Sequence, residues 1–451
     1  MKKPNILFYF SDQQRADTCG CYGQSLPVTP VLDSLAAEGV RFEYAFSPQP
    51  VCGPARACFQ TGRYPTASGC FRNNVALPLD VDTIGRRFES AGFITGYVGK
   101  WHLASDGDLE AVPAVNYHHS AIPPERRGGY TGFWRASDVL EFTSGSTGGY
   151  VFDENMEKRE FSGYRVDCIT DYALEFLDSY DGKQPFFLTV SHLEPHHQND
   201  AGHYQGPPGS KEKYQNASLP PDLATLGGDA AEEYPDYLGA CESVDRNLGR
   251  LIEALKRKGL YEDTVIVFTS DHGSHFRTRN CDGKLNGFDD YKRTGHDSAL
   301  RVPLVVRGGR FLGGRIIREL VSTASLPRTL LAAAGVSPAV TMDGEDLASL
   351  LDGPVPGRPN EVFAQVSESR VGRVLRTEHF KYAIYAPGKH GGRFMDSEEY
   401  ADDYLYDLEQ DPWELRNVIA EAAYREQKLL LRERLLSWIR SIEGAEAVIL
   451  D

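Results

Sequence analysis

A run of strand formers at residues 5–10, Asn-Ile-Leu-Phe-Tyr-Phe, stops abruptly at Ser11-Asp12-Gln13-Gln14, and the same transition from apolar run to polar cluster recurs along the chain. Residues 185–191 give way to a histidine-rich stretch at 192–197, and residues 264–270 give way to Asp271-His272. Short apolar runs without alternation predict strands buried on both faces. Residues 93–98 and 302–306 read as further strands. Between the strands lie helix patterns, at 30–38 opened by Thr29-Pro30 and closed by Gly39, at 83–90 stopped by Gly92, and at 165–180, 234–258 and 326–334. Strands that alternate with helices require a mostly parallel sheet covered on both sides, an α/β fold.

Such a sheet binds ligands beyond the carboxyl ends of its strands. Three polar clusters leave strands at that edge: Asp12-Gln13, residues 192–197 and Asp271-His272. Seven of the twelve histidines fall within 192–203 and 272–296, which marks those two loops as chemical. Residues 104–160 are rich in Gly, Pro and aromatics and read as an irregular excursion over the active edge, part of a substrate pocket; residues 206–228 read as a second loop of this kind. From about Pro354 short alternating strands at 362–366, 373–376 and 381–385 precede a helix at 420–442. The division expected is a catalytic domain at 1–353 and a smaller C-terminal subdomain with an antiparallel sheet at 354–451.

With 48 basic and 64 acidic residues the chain carries a net charge of −16, which argues against nucleic acid as a partner. An enzyme this acidic that acts on anions must concentrate cations locally. The apolar run after Met1-Lys2-Lys3 is too short for a signal-peptide core, and nothing approaches the ~18 apolar residues of a membrane span, so a cytoplasmic, non-membrane protein is expected. Eight irregularly spaced cysteines then read as reduced thiols, and no zinc-type spacing occurs.

Pro50-Val51-Cys52-Gly53-Pro54-Ala55-Arg56 predicts a short helix that starts at Cys52 and is closed by Gly62. Cys52 sits at the positive end of its dipole, and Arg56, four residues on, shares its face. An oxyanion there would meet free N–H groups and a cation together. A buried cysteine beside a surface arginine is the plain alternative.

The whole stretch, through Thr61-Gly62-Arg63-Tyr64-Pro65, resembles the maturation motif of the type I sulfatases, a family with the alkaline-phosphatase-like fold. The resemblance extends to Gly96-Tyr97-Val98-Gly99-Lys100-Trp101-His102, to Glu194-Pro195-His196-His197, to Thr269-Ser270-Asp271-His272-Gly273, to Lys292 ahead of Arg301-Val302-Pro303, and to Leu405-Tyr406-Asp407-Leu408. It implies that Cys52 is oxidised by a formylglycine-generating maturation enzyme to Cα-formylglycine, whose hydrate is the nucleophile. It further implies that Asp12, Gln13, Asp271 and His272 hold a divalent metal with that hydrate, that Arg56 helps to stabilise it, that Lys100 and Lys292 bind sulfate oxygens, and that His102 contacts the second hydroxyl. The family's leaving-group histidine maps onto His196, with His197 as runner-up, and Arg277 and His296 are candidates for substrate contact. Oxygen-dominated ligands favour Ca²⁺, with Mg²⁺ or Mn²⁺ as options.

The function expected is hydrolysis of a sulfated saccharide. Gln13 stands where most sulfatases carry aspartate, and Asp-Gln with Asp-His resembles choline sulfatases and phosphonate monoester hydrolases, which makes a phosphonate or phosphodiester hydrolase the alternative. An inactive, binding-only member is disfavoured because the full set of site residues is present.

Overall fold

The central strand of the large sheet is Asn5–Ser11, paired in parallel with Phe186–Ser191 on one side and Thr264–Ser270 on the other. Ile94–Lys100 and Phe133–Ser137 continue the parallel order beyond the first neighbour. Beyond the second, Leu304–Arg307 runs antiparallel and joins Val40–Phe46, which restores the original direction. The computed structural model describes residues 3–107, 116–279 and 290–450.

Period-two alternation divides the sheet's faces between two cores. Ile6, Phe8 and Phe10 pack with Phe59, Phe88 and Leu330, so the helices Cys52–Thr61, Ile84–Ser90 and Leu326–Ala333 cover that face. Leu7 and Tyr9 point the other way, into Leu35, Ile169 and Leu248 of the helices Pro30–Glu38, Arg165–Ser179 and Ala230–Arg257. The sequence pattern thus predicts the layer order correctly, because both faces of the central strands are apolar.

A second sheet holds Glu361–Val366, Gly372–Thr377, Phe380–Tyr385 and Glu399–Asp407 in antiparallel order, with Val448–Leu450 at its edge. One face packs Phe363, Leu375 and Tyr382 against Leu431, Leu435 and Ile439 of the helix Arg425–Glu443. The other packs Val362, Ala364 and Val374 against Phe46, Leu300 and Leu320, which joins it to the large sheet.

Several expectations need correction. The span 104–160 is not irregular: it supplies Phe133–Ser137, Gly148–Asp153 and Lys158–Ser162 to the large sheet, while 108–115 lies outside the described residues. Its glycines and aromatics obscured the strands, since Phe133 and Trp134 pack inward beside polar Arg135. Residues 206–228 carry two short helices, Ser210–Tyr214 and Pro221–Leu226. The strand at 302–306 is broken at Pro303 into Arg301–Val302 and Leu304–Arg307, as proline has no N–H for the ladder. The long helix starts at Ala230 rather than at 234, and Pro235 lies inside it.

Candidate active site

Five parallel strands end at one rim, and polar residues at or just beyond their ends converge. Asp12 follows Asn5–Ser11, Lys100 ends Ile94–Lys100, His196 lies beyond Phe186–Ser191, Asp271 follows Thr264–Ser270, and Glu141 lies beyond Phe133–Ser137. Cys52 follows Val40–Phe46, which runs in the same direction, and is the first residue of its helix, whose end is closed by Gly62 at φ 65°. Asn73 Oδ1 accepts the Gly53 N–H at 2.8 Å and satisfies one free donor of the first turn.

Asp12, Cys52, Asp271 and His272 are fully buried, and one ligand atom from each lies within 4.8 Å of the others. Asp12 Oδ1 is 3.4 Å from Cys52 Sγ and 3.5 Å from His272 Nε2, which is in turn 3.2 Å from the sulfur. Burial and the nearby Asp12 charge push the Asp271 carboxyl above its ordinary range. Two carboxylates and an imidazole aimed at one buried point are a donor set that a hard divalent cation would satisfy, so these residues fit a metal site. Gln13 stands at the rim with φ 68°, a conformation unfavourable for a residue with a side chain. Its Oε1 accepts the His197 N–H at 3.1 Å, and its buried Nε2 has no partner among the described residues.

Arg56 does not face the cavity as the shared helix face had led us to expect. Its Nη2 donates to Asp12 Oδ2 at 2.9 Å, its Nε to Asp271 Oδ2 at 3.1 Å, and its Nη1 to the Lys100 carbonyl at 2.8 Å. Two buried carboxylates attract the guanidinium inward, and the planar fork holds both at once. Arg56 therefore sits behind Asp12 and Asp271 and holds both carboxylates.

Above Cys52 the cations gather. Lys292 Nζ is 3.1 Å from Cys52 Sγ and donates to His196 Nε2 at 2.7 Å, while Lys100 Nζ pairs with Asp12 Oδ2 at 2.8 Å. Burial alone would push the Cys52 thiol up, yet Lys100, Lys292 and His272 outweigh it and hold the thiol well below its usual range. The pocket thus stabilises an anion at position 52. His102, at φ 60°, lines the same cavity and also favours the thiolate.

The two adjacent histidines separate cleanly. His196 donates from Nδ1 to the His197 carbonyl, which leaves Nε2 on the Lys292 and Cys52 side. His197 stacks on Tyr291 with ring centroids 4.3 Å apart, and burial, with His196 beside it, pushes its pKa down to about 4. Arg277 lies over the far side of Tyr291 beside Asp229 and does not line the cavity. His296 does not reach it either: its ring nitrogens meet Thr294 and Tyr406, and it stacks on Tyr404. Proximity in sequence to the rim loops did not carry these two side chains into the pocket.

Other lining residues escaped the sequence reading, among them Asn74, Glu141, Phe142, Asn199 and Arg293. Glu141 was hidden because Phe133–Ser137 was not recognised as a strand; the strand-end rule, applied there, leads to Asp138 and Glu141. The C-terminal sheet also contributes, through Glu368 at φ 62°, which accepts the Asn73 N–H at 2.7 Å and pairs with Arg293.

Known proteins match this chain over nearly its whole length. The Sulfatase family model matches residues 4–336, and that of the N-sulphoglucosamine sulphohydrolase C-terminal region matches 283–441. An ulvan-active sulfatase of Formosa agariphila is 28% identical over 94% of this chain and 78% of its own. An N-acetylglucosamine-6-O-sulfatase of Bacteroides thetaiotaomicron is 24% identical over 96% of this chain and 85% of its own. The solved structure of the Bacteroides fragilis yidJ protein superimposes with a TM-score of 0.82 at 25% identity, covering 98% of this chain and 96% of that one. With the rim geometry and the match over 4–336 together, the chain belongs to the sulfatase family, as a sulfuric ester hydrolase of the alkaline-phosphatase-like superfamily.

Proposed function

We propose that this sulfatase removes sulfate from a sulfated saccharide, and that residue 52 does so after maturation. The reading is supported by the saccharide substrates in the names of its relatives and carried by one observation: Lys292 Nζ joins Cys52 Sγ to His196 Nε2 at 3.1 and 2.7 Å. These contacts link a nucleophile, a sulfate-binding cation and a proton donor for the departing alcohol.

Conversion of Cys52 to Cα-formylglycine by a maturation enzyme would supply a hydrated aldehyde in place of the sulfur. Asp12, Asp271 and His272 would hold a divalent cation, Ca²⁺ on donor chemistry, and it would add positive charge where sulfate oxygens bind. Arg56 keeps both carboxylates in place. Lys100 and Lys292 bind the non-bridging oxygens as charge shifts toward them. Sulfate would draw Lys292 off His196 Nε2, which, once protonated, gives its proton to the sugar oxygen as that oxygen's bond to sulfur breaks, and His102 accepts a proton on the Cys52 side. The segment 1–353 carries this chemistry and 354–451 braces the wall. The phosphonate or phosphodiester alternative is not favoured, because the matching family and curated relatives are sulfatases.

The test is sulfate release from a panel of defined sulfated saccharides by enzyme whose residue 52 is checked by mass spectrometry. Matured protein should release sulfate from at least one of them, and Cys52→Ala should fold yet lose essentially all activity. Full activity from protein that carries only unmodified cysteine defeats the nucleophile assignment; turnover of an aryl phosphodiester faster than every sulfate defeats the substrate class.

A further inference from the structure

The side of the pocket away from the metal-ligand cluster has its own charge pattern. Glu141 lines it, buried apart from a small exposed area. Asn199 Nδ2 donates to its Oε1 at 2.7 Å, while Oε2 lies 4.0 Å from His196 Nδ1, too far for a hydrogen bond, and accepts none from any described residue. Burial pushes this carboxyl up, but His196, Lys100 and Lys292 outweigh it and keep Glu141 ionised. The other wall cation, Arg293, is already paired with Glu368 and lies beside Asp290. Phe142, 48% exposed and backed by the His118 ring at 4.8 Å, offers a flat apolar shelf next to it.

A carboxylate in an anion-binding pocket weakens binding of the sulfate unless it gains something from the substrate. Its place settles what that is. His196 carries Nε2 on the Lys292 and Cys52 side and Nδ1 4.0 Å from Glu141 Oε2, so the carboxylate flanks the leaving-group histidine and meets a substrate group that neighbours the ester. On a sugar ring that group is the substituent of the adjacent carbon.

We propose that Glu141 is the specificity residue of this pocket: its carboxylate accepts a hydrogen bond from a hydroxyl or ammonium on the sugar carbon next to the sulfated one, and it excludes substrates that carry a second sulfate or a carboxylate there. The inference rests on the sulfated-saccharide reading above and narrows it to neutral or amino sugars with a free donor beside the ester. A charge-assisted hydrogen bond rewards the donor, and like-charge contact in a dry wall penalises the second anion.

The experiment takes the monosulfated sugar turned over fastest by matured wild-type enzyme, its analogue sulfated also at the adjacent carbon, and its analogue deoxygenated there. kcat/KM is measured for each on wild type and on Glu141→Gln, with Asn199→Ala as a second variant. Wild type should prefer the free hydroxyl over both analogues by about tenfold or more. In Glu141→Gln the discrimination against the disulfate should shrink by about tenfold, while Asn199→Ala should shrink it less. These are ratios within one preparation, so the folded fraction cancels. An unchanged ratio in Glu141→Gln, an equal loss on all three sugars, or a wild-type preference for the disulfate overturns the inference. Failure of wild type on every sulfated saccharide overturns the reading beneath it instead, so the two failures are told apart.

Discussion

His196 and His192 occupy one loop and do opposite work. His196 presents Nε2 on the Lys292 and Cys52 side, so its loss should matter most where the leaving group is poor. His196→Ala should cut turnover of sugar sulfates by roughly 10²–10⁴-fold and spare an activated aryl sulfate far more; equal losses on both substrates would remove it from the proton-donor role. His192 is fully buried, neither ring nitrogen has a partner among the described residues, and its ring packs against Tyr9 with centroids 4.9 Å apart. Burial pushes its pKa down to about 3. Between that value and the ordinary histidine range the unfolded chain binds a proton that the folded chain refuses, so stability falls as pH drops through this window. His192 alone should cost about 2 kcal/mol between pH 7 and 5. His192→Phe should flatten that slope in urea denaturations at the two pH values, and an unchanged slope would show that the ring is not the source.

At the scale of elements, the strand-end rule made most of the rim legible: three of its polar clusters follow runs whose apolar character shows in the sequence alone. It failed at Phe133–Ser137, where Arg135 and Ser137 break the apolar pattern and the surrounding glycines resemble a loop. It also could not say that Arg56 would turn toward two carboxylates, since both lie more than forty residues away in sequence or further. Motif resemblance placed His196 and Lys292 but gave no means to reject His296, whose burial against Tyr404 and Tyr406 is a tertiary fact. One glycine shows how closely these strands are fitted. Gly99 has φ 106°, and a Cβ there would stand 1.9 Å from the Ser191 carbonyl oxygen on the paired strand. Gly99→Ala should therefore pry Ile94–Lys100 from Phe186–Ser191, displace Lys100 and lower the melting temperature by many degrees. A variant that melts like wild type would contradict the strand pairing as described.

For the whole molecule the first question is what keeps two buried aspartates together. Arg56 neutralises part of their charge and Lys100 another part, and a divalent cation would complete the balance. Chelation should therefore abolish activity and also lower thermal stability, with both restored by Ca²⁺, Mg²⁺ or Mn²⁺. Elemental analysis of fully active protein that finds no metal would rule the site out. Among the described residues no helix is long and apolar enough to cross a membrane.

Glu368 has a consequence for how such an enzyme changes over time. It belongs to the turn between Glu361–Val366 and Gly372–Thr377, yet it fixes the backbone of Asn73 and the side chain of Arg293 on the pocket wall. Through Asn73, whose side chain accepts the Gly53 N–H, the turn is also tied to the first turn of the Cys52 helix. An exchange of this turn would therefore be felt at the rim that meets the sugar and at the start of the Cys52 helix together, so a hairpin of a separate sheet constrains the sulfate-cleaving floor as well as its wall.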